Sequence, residues 1–526
     1  MAMFPLSDKR IGMTSSELLR LPVMLLHHRF IQTAKINGSK LAIVDGMTGK
    51  RLTFKQTLIA ALMLSKKIKS FQDKYVGILL PNTAGCTLSV LACQFAGKTP
   101  VMINYSTGAE RNVEFARNKC QFDLVITSRK ILEKVGCPEM DNMLYLEDVL
   151  LEFGTVDKIK AALVAALPTS MVISRVAGGE LDDTTAIMFT SGSEKEPRGV
   201  ELTHRSVGSN ISAVCEFINL KNTEVISAIL PVFHVFGFNT GLWLPLVHGV
   251  KVVTYPSPLE AKKIVGLVKK EEITILVGTP FFLSSYARVA MQDDFKSLNI
   301  AMSGADKTPE SLFNMYQAKF GLEILEGYGA TETSPIISAN PPGGIRRGSI
   351  GKPINGVKVK IADVNTGKTL PQGGEGVIMA KGDLIMKGYF NDPEQTSEKI
   401  KDGWYDTGDM GVFDEDGYLW HKGRLKRFVK IGGEMVSLVH VESEIEKQLS
   451  EGIECCVVDH PDEKKGSNIV VVTNEEIDAS ELKKKLGKSL PSIAIPRKFL
   501  VLAELPKMGS GKVDFRKTTE LSLELA

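Results

Sequence analysis

Apolar and polar positions in the first 150 residues alternate between two periods. In Thr53–Ser70, Leu58, Leu62 and Ile68 recur near a helical repeat and lysines close the last turn, which predicts a helix. Tyr75–Leu80 is a short apolar run stopped by Pro81-Asn82 and predicts a strand. Thr87–Ala96 is apolar enough for a buried helix, and Val101–Asn104 and Leu124–Thr127 predict two more strands. The alternation resumes with strands at Glu224–Leu230, Lys251–Tyr255 and Ile273–Gly278, with a helix between the last two. Strands alternating with helices predict parallel α/β architecture.

After Gly351 the texture changes. Val357–Ala362, Gly376–Lys381, Gly411–Phe413 and Tyr418–His421 read as short strands split by Gly, Asp and Asn turns, a β-rich subdomain over about 351–425. It changes again after Arg424. Val441, Ile445 and Leu449 line one face of a helix at Val439–Leu449, strands follow at Glu454–Val458 and Asn468–Thr473, and Leu482, Leu486 and Leu490 line a helix at Ser480–Leu490. The expected organisation is α/β, with a large domain over 1–425 and a small α+β domain over 426–526 that begins at Lys426.

Composition narrows the classes. The 526 residues are 43% apolar and 24% charged, enough for large buried cores, which excludes disordered and fibrous chains. The charge sum, 64 basic against 61 acidic residues, is too even for a protein that coats nucleic acid. Seven cysteines without a CxxC pair argue against a disulfide framework and a zinc site, and for a reducing, cytoplasmic setting. No apolar run reaches the ~18–20 residues of a membrane-spanning helix, and no secretory signal opens the chain; peripheral membrane contact stays open.

The chemistry concentrates in Thr184–His204, TTAIMFTSGSEKEPRGVELTH. A strand at Ala186–Phe189 leads into Thr190-Ser191-Gly192-Ser193, then a charged turn, then a strand at Val200–Thr203. Three hydroxyls around one glycine suit a polyphosphate: glycine admits a close backbone approach, and hydroxyls and N–H groups donate to phosphate oxygens. The Walker pattern is absent. The other reading of this stretch alone is a Ser/Gly loop between two strands.

FTSGSEKEPRGVELTH resembles the phosphate loop of the AMP-forming adenylating superfamily of acyl-CoA synthetases, luciferases and peptide-synthetase adenylation domains. Four further blocks match in order. Gly327-Tyr328-Gly329-Ala330-Thr331-Glu332 is similar to the adenine and magnesium motif, and Trp404-Tyr405-Asp406-Thr407-Gly408-Asp409 to the ribose motif. Gly423-Arg424-Leu425-Lys426 is similar to the hinge, and Gly509-Ser510-Gly511-Lys512 to the catalytic-lysine loop. SGSEKEPRGV, LEGYGATETSP, GRLKRFVKIGGEMVSL and LPKMGSGKVDF resemble bacterial acyl-ACP synthetases and the adenylating half of 2-acylglycerophosphoethanolamine acyltransferase most. Two departures stand out. Arg198 replaces the lysine that usually closes the loop, which keeps the charge but not the geometry. None of the eight histidines has Asp five residues on, so the acyltransferase motif of two-domain relatives is missing.

The resemblance implies roles. A carboxylate resists thiols until its oxygen becomes part of a better leaving group, and attack on the ATP α-phosphate supplies AMP for that. The site must neutralise charge on phosphorus with positioned cations and a metal. Lys512 then bridges carboxylate and phosphates, Glu332 holds Mg2+, and Thr331 reaches the α-phosphate. Thr190, Ser191, Gly192, Ser193, Glu194 and Arg198 cradle the phosphates. Tyr328 stacks on adenine between Gly327 and Gly329, with Gly304, Ala305 and Asp306 lining the same pocket. Asp409 accepts from the ribose and Arg424 donates to ribose or phosphate. His234 sits by the carboxylate, with Trp243, Leu244 and Leu246 toward an acyl tunnel. Lys426 is the pivot for a second half-reaction that Lys430 serves.

The implied activity is ATP- and Mg2+-dependent conversion of a fatty acid to acyl-AMP, then transfer to the phosphopantetheine thiol of acyl carrier protein. The alternatives are a fatty acyl-CoA synthetase, an acyl-AMP ligase with no thiol step, and a non-catalytic acyl-binding protein on the same fold. An acidic carrier calls for a basic dock. Residues 427–526 hold 15 basic and 17 acidic residues, so only the local clusters Lys483-Lys484-Lys485-Lys488 and Arg497-Lys498 offer one.

Overall fold

Thr53 ends the strand Arg51–Thr53 and caps the helix Phe54–Ile68. Its hydroxyl accepts from the Gln56 amide while Gln56 Oε1 accepts from the Thr53 amide, a reciprocal cap. Thr83, Ser128, Thr203 and Thr279 cap four later helices through the same kind of hydroxyl contact, so the starts of these helices are written locally. The computed structural model describes residues 24–190, 197–431, 434–450, 452–462, 466–507 and 513–525.

The chain divides into two compact units, Met1–Val359 with Ala380–Tyr405, and Lys360–Met379 with Asp406–Ala526. The first is built on two sheets. A seven-stranded sheet has a parallel centre in which Thr99–Met102 lies between Tyr75–Ile78 and Thr184–Thr190, and Tyr75–Ile78 is followed outward by Val125–Thr127 and Met143–Tyr145. At its other edge Arg198–Thr203 and Gly388–Tyr389 run antiparallel. A nine-stranded sheet is parallel from Leu41–Asp45 through Lys251–Thr254, Val225–Ala228, Ile275–Gly278, Ile300–Ser303 and Ile324–Gly329, with antiparallel strands at both ends. Parallel neighbours require crossovers, and the helices that supply them pack in one large core around Phe30, Phe54, Leu58, Val90, Trp243 and Tyr286. The expected α/β class is the observed one.

The second unit carries the antiparallel pair Trp404–Phe413 and Leu419–Arg424, the first of which enters it after Tyr405. It also holds a two-stranded ribbon, Phe428–Ile431 with Glu434–Ser437, and a three-stranded sheet of Cys455–Asp462, Gly466–Thr473 and Lys498–Val501. Val441, Ile445, Val457, Val471, Leu482, Leu486 and Leu490 form its core. Several element bounds differ from expectation: the helix expected at Val439–Leu449 is Leu438–Glu446, and the strand expected at Glu454–Val458 runs on as Cys455–Asp462. The short strand expected at Gly411–Phe413 is the end of the ten-residue strand Trp404–Phe413, because a register shift at Met410/Gly411 lets the ladder run through the glycine. The helix expected to reach Leu490 stops at Leu486, where Gly487 forms the C-cap, although Leu490 still enters the core. All seven cysteines are free and buried. Among the described residues no helix is long and apolar enough to cross a membrane.

Candidate functional site

Thr190 is the last residue of its strand and faces Arg198 across the antiparallel pair, so the hydroxyl-rich loop joins two paired strands. Ser191, Gly192, Ser193 and Glu194 lie outside the described residues, as does Lys512. The Arg198 guanidinium sits 5.3 Å from the centre of the Tyr389 ring. The Tyr389 hydroxyl donates to Glu332 Oε1 at 2.9 Å. The phosphate-loop cation and the expected metal carboxylate are therefore linked through one aromatic side chain that no motif had singled out. Burial, reinforced by the Glu332 charge, pushes the Tyr389 phenol well above its ordinary value, so it stays a donor.

Glu332 lies on the short turn Thr331–Thr333, directly after the strand Ile324–Gly329 that carries Gly327 and Tyr328. That strand turns back through Pro335 into Ile336–Ala339, and a Cβ on Gly329 would lie 1.7 Å from the Pro335 carbonyl oxygen. Glycine is obligatory there. Two buried asparagines pin the turn: Asn210 Nδ2 donates to the Ile336 carbonyl at 2.7 Å, and Asn239 Nδ2 donates to the Ser334 carbonyl. Tyr328 packs on the Ile337, Ala380 and Leu384 cluster. The other oxygen of Glu332 has no partner among the described residues. A half-buried carboxylate with one oxygen to give fits Mg2+, which takes few protein carboxylates and otherwise water and phosphate oxygens.

Glu326, two residues before Tyr328, is buried. Its Oε1 accepts from the Thr308 amide at 2.9 Å, and the Thr308 hydroxyl donates to Ser303 Oγ at 2.8 Å. Burial raises its carboxyl to about 7 against the pull of the Thr308 hydrogen bonds. This network ties the adenine-motif strand to Gly304-Ala305-Asp306, where Ala305 adopts a positive φ of 69°. A Cβ on Gly304 would come within 3.0 Å of the Phe236 ring, so this loop and the His234 loop touch.

His234 is exposed although Val232, Phe233 and Val235 around it are buried. A polar residue turned outward from an apolar loop is placed to meet a ligand. Asn82 fixes that loop: its Nδ2 donates to the Ala228 and Leu230 carbonyls at 3.1 and 2.5 Å, and its Oδ1 accepts from the Val232 amide at 3.0 Å. Gly237 closes the turn, where a Cβ would stand 2.4 Å from the Leu230 and Pro231 oxygens. Trp243, Leu244 and Leu246 are buried in the large core.

In the second unit Asp409 and Arg424 are register partners across the antiparallel pair, and Arg424 Nε lies 2.9 Å from Asp409 Oδ1. The Asp409 amide donates to Thr407 Oγ1, whose hydroxyl donates to the Ile378 carbonyl. The ribose and hinge motifs, fourteen positions apart in order, thus meet at one ion pair. Lys426 follows on a single turn, Leu425–Arg427. Lys430 lies on the strand Phe428–Ile431, opposite Met435.

Sequence reasoning missed Tyr389, Asn82, Asn210, Asn239 and Glu326. Tyr389 carried a signal in the Gly- and Pro-flanked run GDLIMKGYFNDPE; the asparagines did not, because their importance lies in which carbonyls they reach.

Known proteins match this arrangement. The model of the AMP-binding enzyme family matches residues 30–390, and that of the AMP-binding enzyme C-terminal domain matches 444–512. 4-Coumarate–CoA ligase 1 of Petroselinum crispum is 28% identical over 517 residues, 93% of this chain and 92% of the relative. Medium-chain fatty-acid–CoA ligase of Escherichia coli K12 is 29% identical over 511 residues, 92% of this chain and 88% of the relative. ATP-bound MatB from Rhodopseudomonas palustris shares the fold with a TM-score of 0.81 at 24% identity, covering 95% of this chain and 99% of that one. MenE from Bacillus subtilis in complex with AMP does so with a TM-score of 0.80 at 22% identity, covering 93% and 97%. AMP-binding enzymes use ATP with Mg2+, and ATP-dependent activation of an acid with ligation to a thiol is the chemistry the family match and these ligases support. The chain belongs to the AMP-binding enzyme family, within the acyl-CoA synthetase and luciferase superfamily.

Proposed function

We propose that the acid is a fatty acid and the thiol is the phosphopantetheine of acyl carrier protein. The observation that carries the adenylation half is the linkage of Arg198 and Glu332 through Tyr389, which brings a phosphate-binding cation and a metal-binding carboxylate to one place. The exposed His234, in an otherwise buried apolar loop, supports an apolar acid with its carboxylate beside the imidazole.

In this reading Thr190 and Arg198 hold phosphate oxygens, with Ser191, Gly192, Ser193 and Glu194 completing the loop. Glu332 takes Mg2+, which when bound neutralises charge as the α-phosphate is attacked. Gly327, Tyr328, Gly329, Gly304 and Ala305 hold the adenine, and Thr331 donates to the α-phosphate. Asp409 accepts from the ribose and Arg424, already paired to it, donates beside it. Lys512 contributes the positive charge that lets two anions approach. Lys426 is the pivot to the second half-reaction, in which the thiolate attacks the acyl carbonyl, AMP leaves, and Lys430 assists.

The carrier-protein acceptor rests on the segments GRLKRFVKIGGEMVSL and LPKMGSGKVDF and on the helix Ala479–Leu486. There Lys485 pairs with Glu481 and Lys483 donates to the Arg497 carbonyl, while Lys484, and Lys488 just past the helix end, stand exposed. The second reading, a fatty acyl-CoA synthetase, is favoured by the CoA ligases among the relatives. Rates with holo-acyl carrier protein and with CoA across a series of fatty acids decide between them. Faster turnover with the carrier protein at low salt supports the proposal, and efficient use of CoA alone replaces it with the second reading.

A further inference from the structure

Tyr389 is buried at 5% exposure, and its backbone and its side chain hold two different parts of the site. The backbone belongs to the phosphate-loop hairpin. Gly388 and Tyr389 pair with Glu201 and Val200, the Lys387 amide donates to the Glu201 carbonyl at 3.0 Å, and the Phe390 amide donates to the Gly199 carbonyl at 2.7 Å. The side chain belongs to the turn after the adenine-motif strand. Its hydroxyl donates to Glu332 Oε1 at 2.9 Å, and three residues earlier the Met386 amide donates to the Glu332 carbonyl at 2.8 Å. Residues 386–390 are thus a strap with one edge stitched to the strand that starts at Arg198 and the other to Glu332. The ring of Tyr389 also lies under the Arg198 guanidinium.

We propose that Tyr389 is a positioning residue for the nucleotide reaction, setting the Glu332 carboxylate and the Arg198 guanidinium at a fixed separation before Mg2+-ATP arrives. The proposal rests on the adenylation reading of the site. A carboxylate on the short turn Thr331–Thr333 has several rotamers, and a metal bound by one protein oxygen gains little if that oxygen must first be ordered. The phenol occupies Oε1 and so fixes the plane of the carboxylate, leaving Oε2 for the cation. Phenylalanine would fill the same space in the large core, so burial alone does not call for the hydroxyl. The same side chain also meets Arg198, whose guanidinium lies 5.3 Å from the ring centre and hydrogen-bonds the phenol, so one residue orders both the cation and the carboxylate.

The test is equilibrium binding of ATP to the full chain by calorimetry, with Mg2+ titrated and again in EDTA, for wild type, Tyr389→Phe, Tyr389→Leu and Glu332→Gln. Tyr389→Phe is expected to raise the Mg2+ midpoint for ATP binding about tenfold or more, the loss of one hydrogen bond to a charged group, and to weaken ATP binding in EDTA by no more than about threefold through the hydroxyl's contact with Arg198. Tyr389→Leu, which also removes the ring, is expected to weaken metal-free ATP binding about threefold or more. Melting temperatures establish that each variant is folded, and Tyr389→Phe, nearly isosteric, keeps the test informative if the leucine variant is not. An unchanged or lower Mg2+ midpoint in Tyr389→Phe overturns the proposal when Glu332→Gln raises it. If Glu332→Gln also leaves the midpoint unchanged, the metal role of Glu332 fails and this proposal fails with it.

Discussion

Replacing Asn82 with alanine removes the clamp on the His234 loop, and its cost follows from the bonds it makes. The carboxamide donates twice, to the Ala228 and Leu230 carbonyls, and accepts once, from the Val232 amide. Ala228 keeps a second partner in the Tyr255 amide, so its oxygen is not stranded. The Val232 amide loses its acceptor in a setting where Asn82 is 2% and Val232 4% exposed. One stranded buried donor costs about 1–3 kcal/mol, and a lost net hydrogen bond at Leu230 adds about 1 kcal/mol. The expected destabilisation is about 2–4 kcal/mol, read as a lower urea midpoint at constant m. Because Val232 lies two residues before His234, KM for the acid is expected to rise while the affinity for ATP stays within about twofold. A destabilisation under about 0.5 kcal/mol with an unchanged KM would show that Asn82 neither holds the loop nor places His234.

Three further outcomes are expected. Burial holds His27 and His248 down at about 4 and His204 at about 3, so they fold neutral; their contribution is complete above the unfolded value near 6.5 and is lost as pH falls from there toward 4. Unfolding free energies from urea titrations should therefore decline between pH 7 and 5 by about 1.4 kcal/mol per pH unit per histidine at most, offset in part by Glu326, whose raised carboxyl acts in the opposite sense, and a flat profile in that window refutes neutral burial of the three histidines. Gly329→Ala drives a Cβ into the Pro335 carbonyl and should cost at least about 3 kcal/mol and abolish ATP binding, checked by melting temperature and calorimetry; wild-type binding would refute the hairpin geometry. Charge reversal at Lys484 and Lys488 should raise KM for holo-acyl carrier protein at low salt more than KM for a short pantetheine thiol, with equal effects on both placing the dock elsewhere.

Much of the fold was legible because the signals are local. Val76 to Ile78, Val101 to Met102 and Ile275 to Val277 are fully buried strands, and an unbroken apolar run bounded by Pro or Gly is what such a strand requires. Trp404–Phe413 was harder, since only Gly411–Phe413 read as a strand and the pairing with Leu419–Arg424 extends the ladder back to Asp409, just past Gly408, whose φ is +71°. The site shows the same division. Thr190, Arg198, Glu332 and Asp409 were recognisable from motifs, but their partners were not. That Asp409 faces Arg424 depends on register, and that Tyr389 reaches Glu332 depends on strand Gly388–Tyr389 adding to the edge of the hairpin. Buried asparagines are the least legible, because an amide, in a loop at Asn82 or on a helix at Asn210, looks solvent-facing until the carbonyls around it are known.

The central claim is that this chain forms an acyl-adenylate from a fatty acid, with Lys512 supplying charge to that step alone. Fatty-acid-dependent exchange of labelled pyrophosphate into ATP measures adenylation without any thiol, and transfer from supplied acyl-AMP to a thiol measures the second step without ATP. Wild type should catalyse both, and Lys512→Ala should lose pyrophosphate exchange by about a thousandfold or more while retaining transfer from acyl-AMP within about tenfold. Exchange that does not respond to any fatty acid, or a Lys512→Ala variant that keeps exchange, would contradict the account.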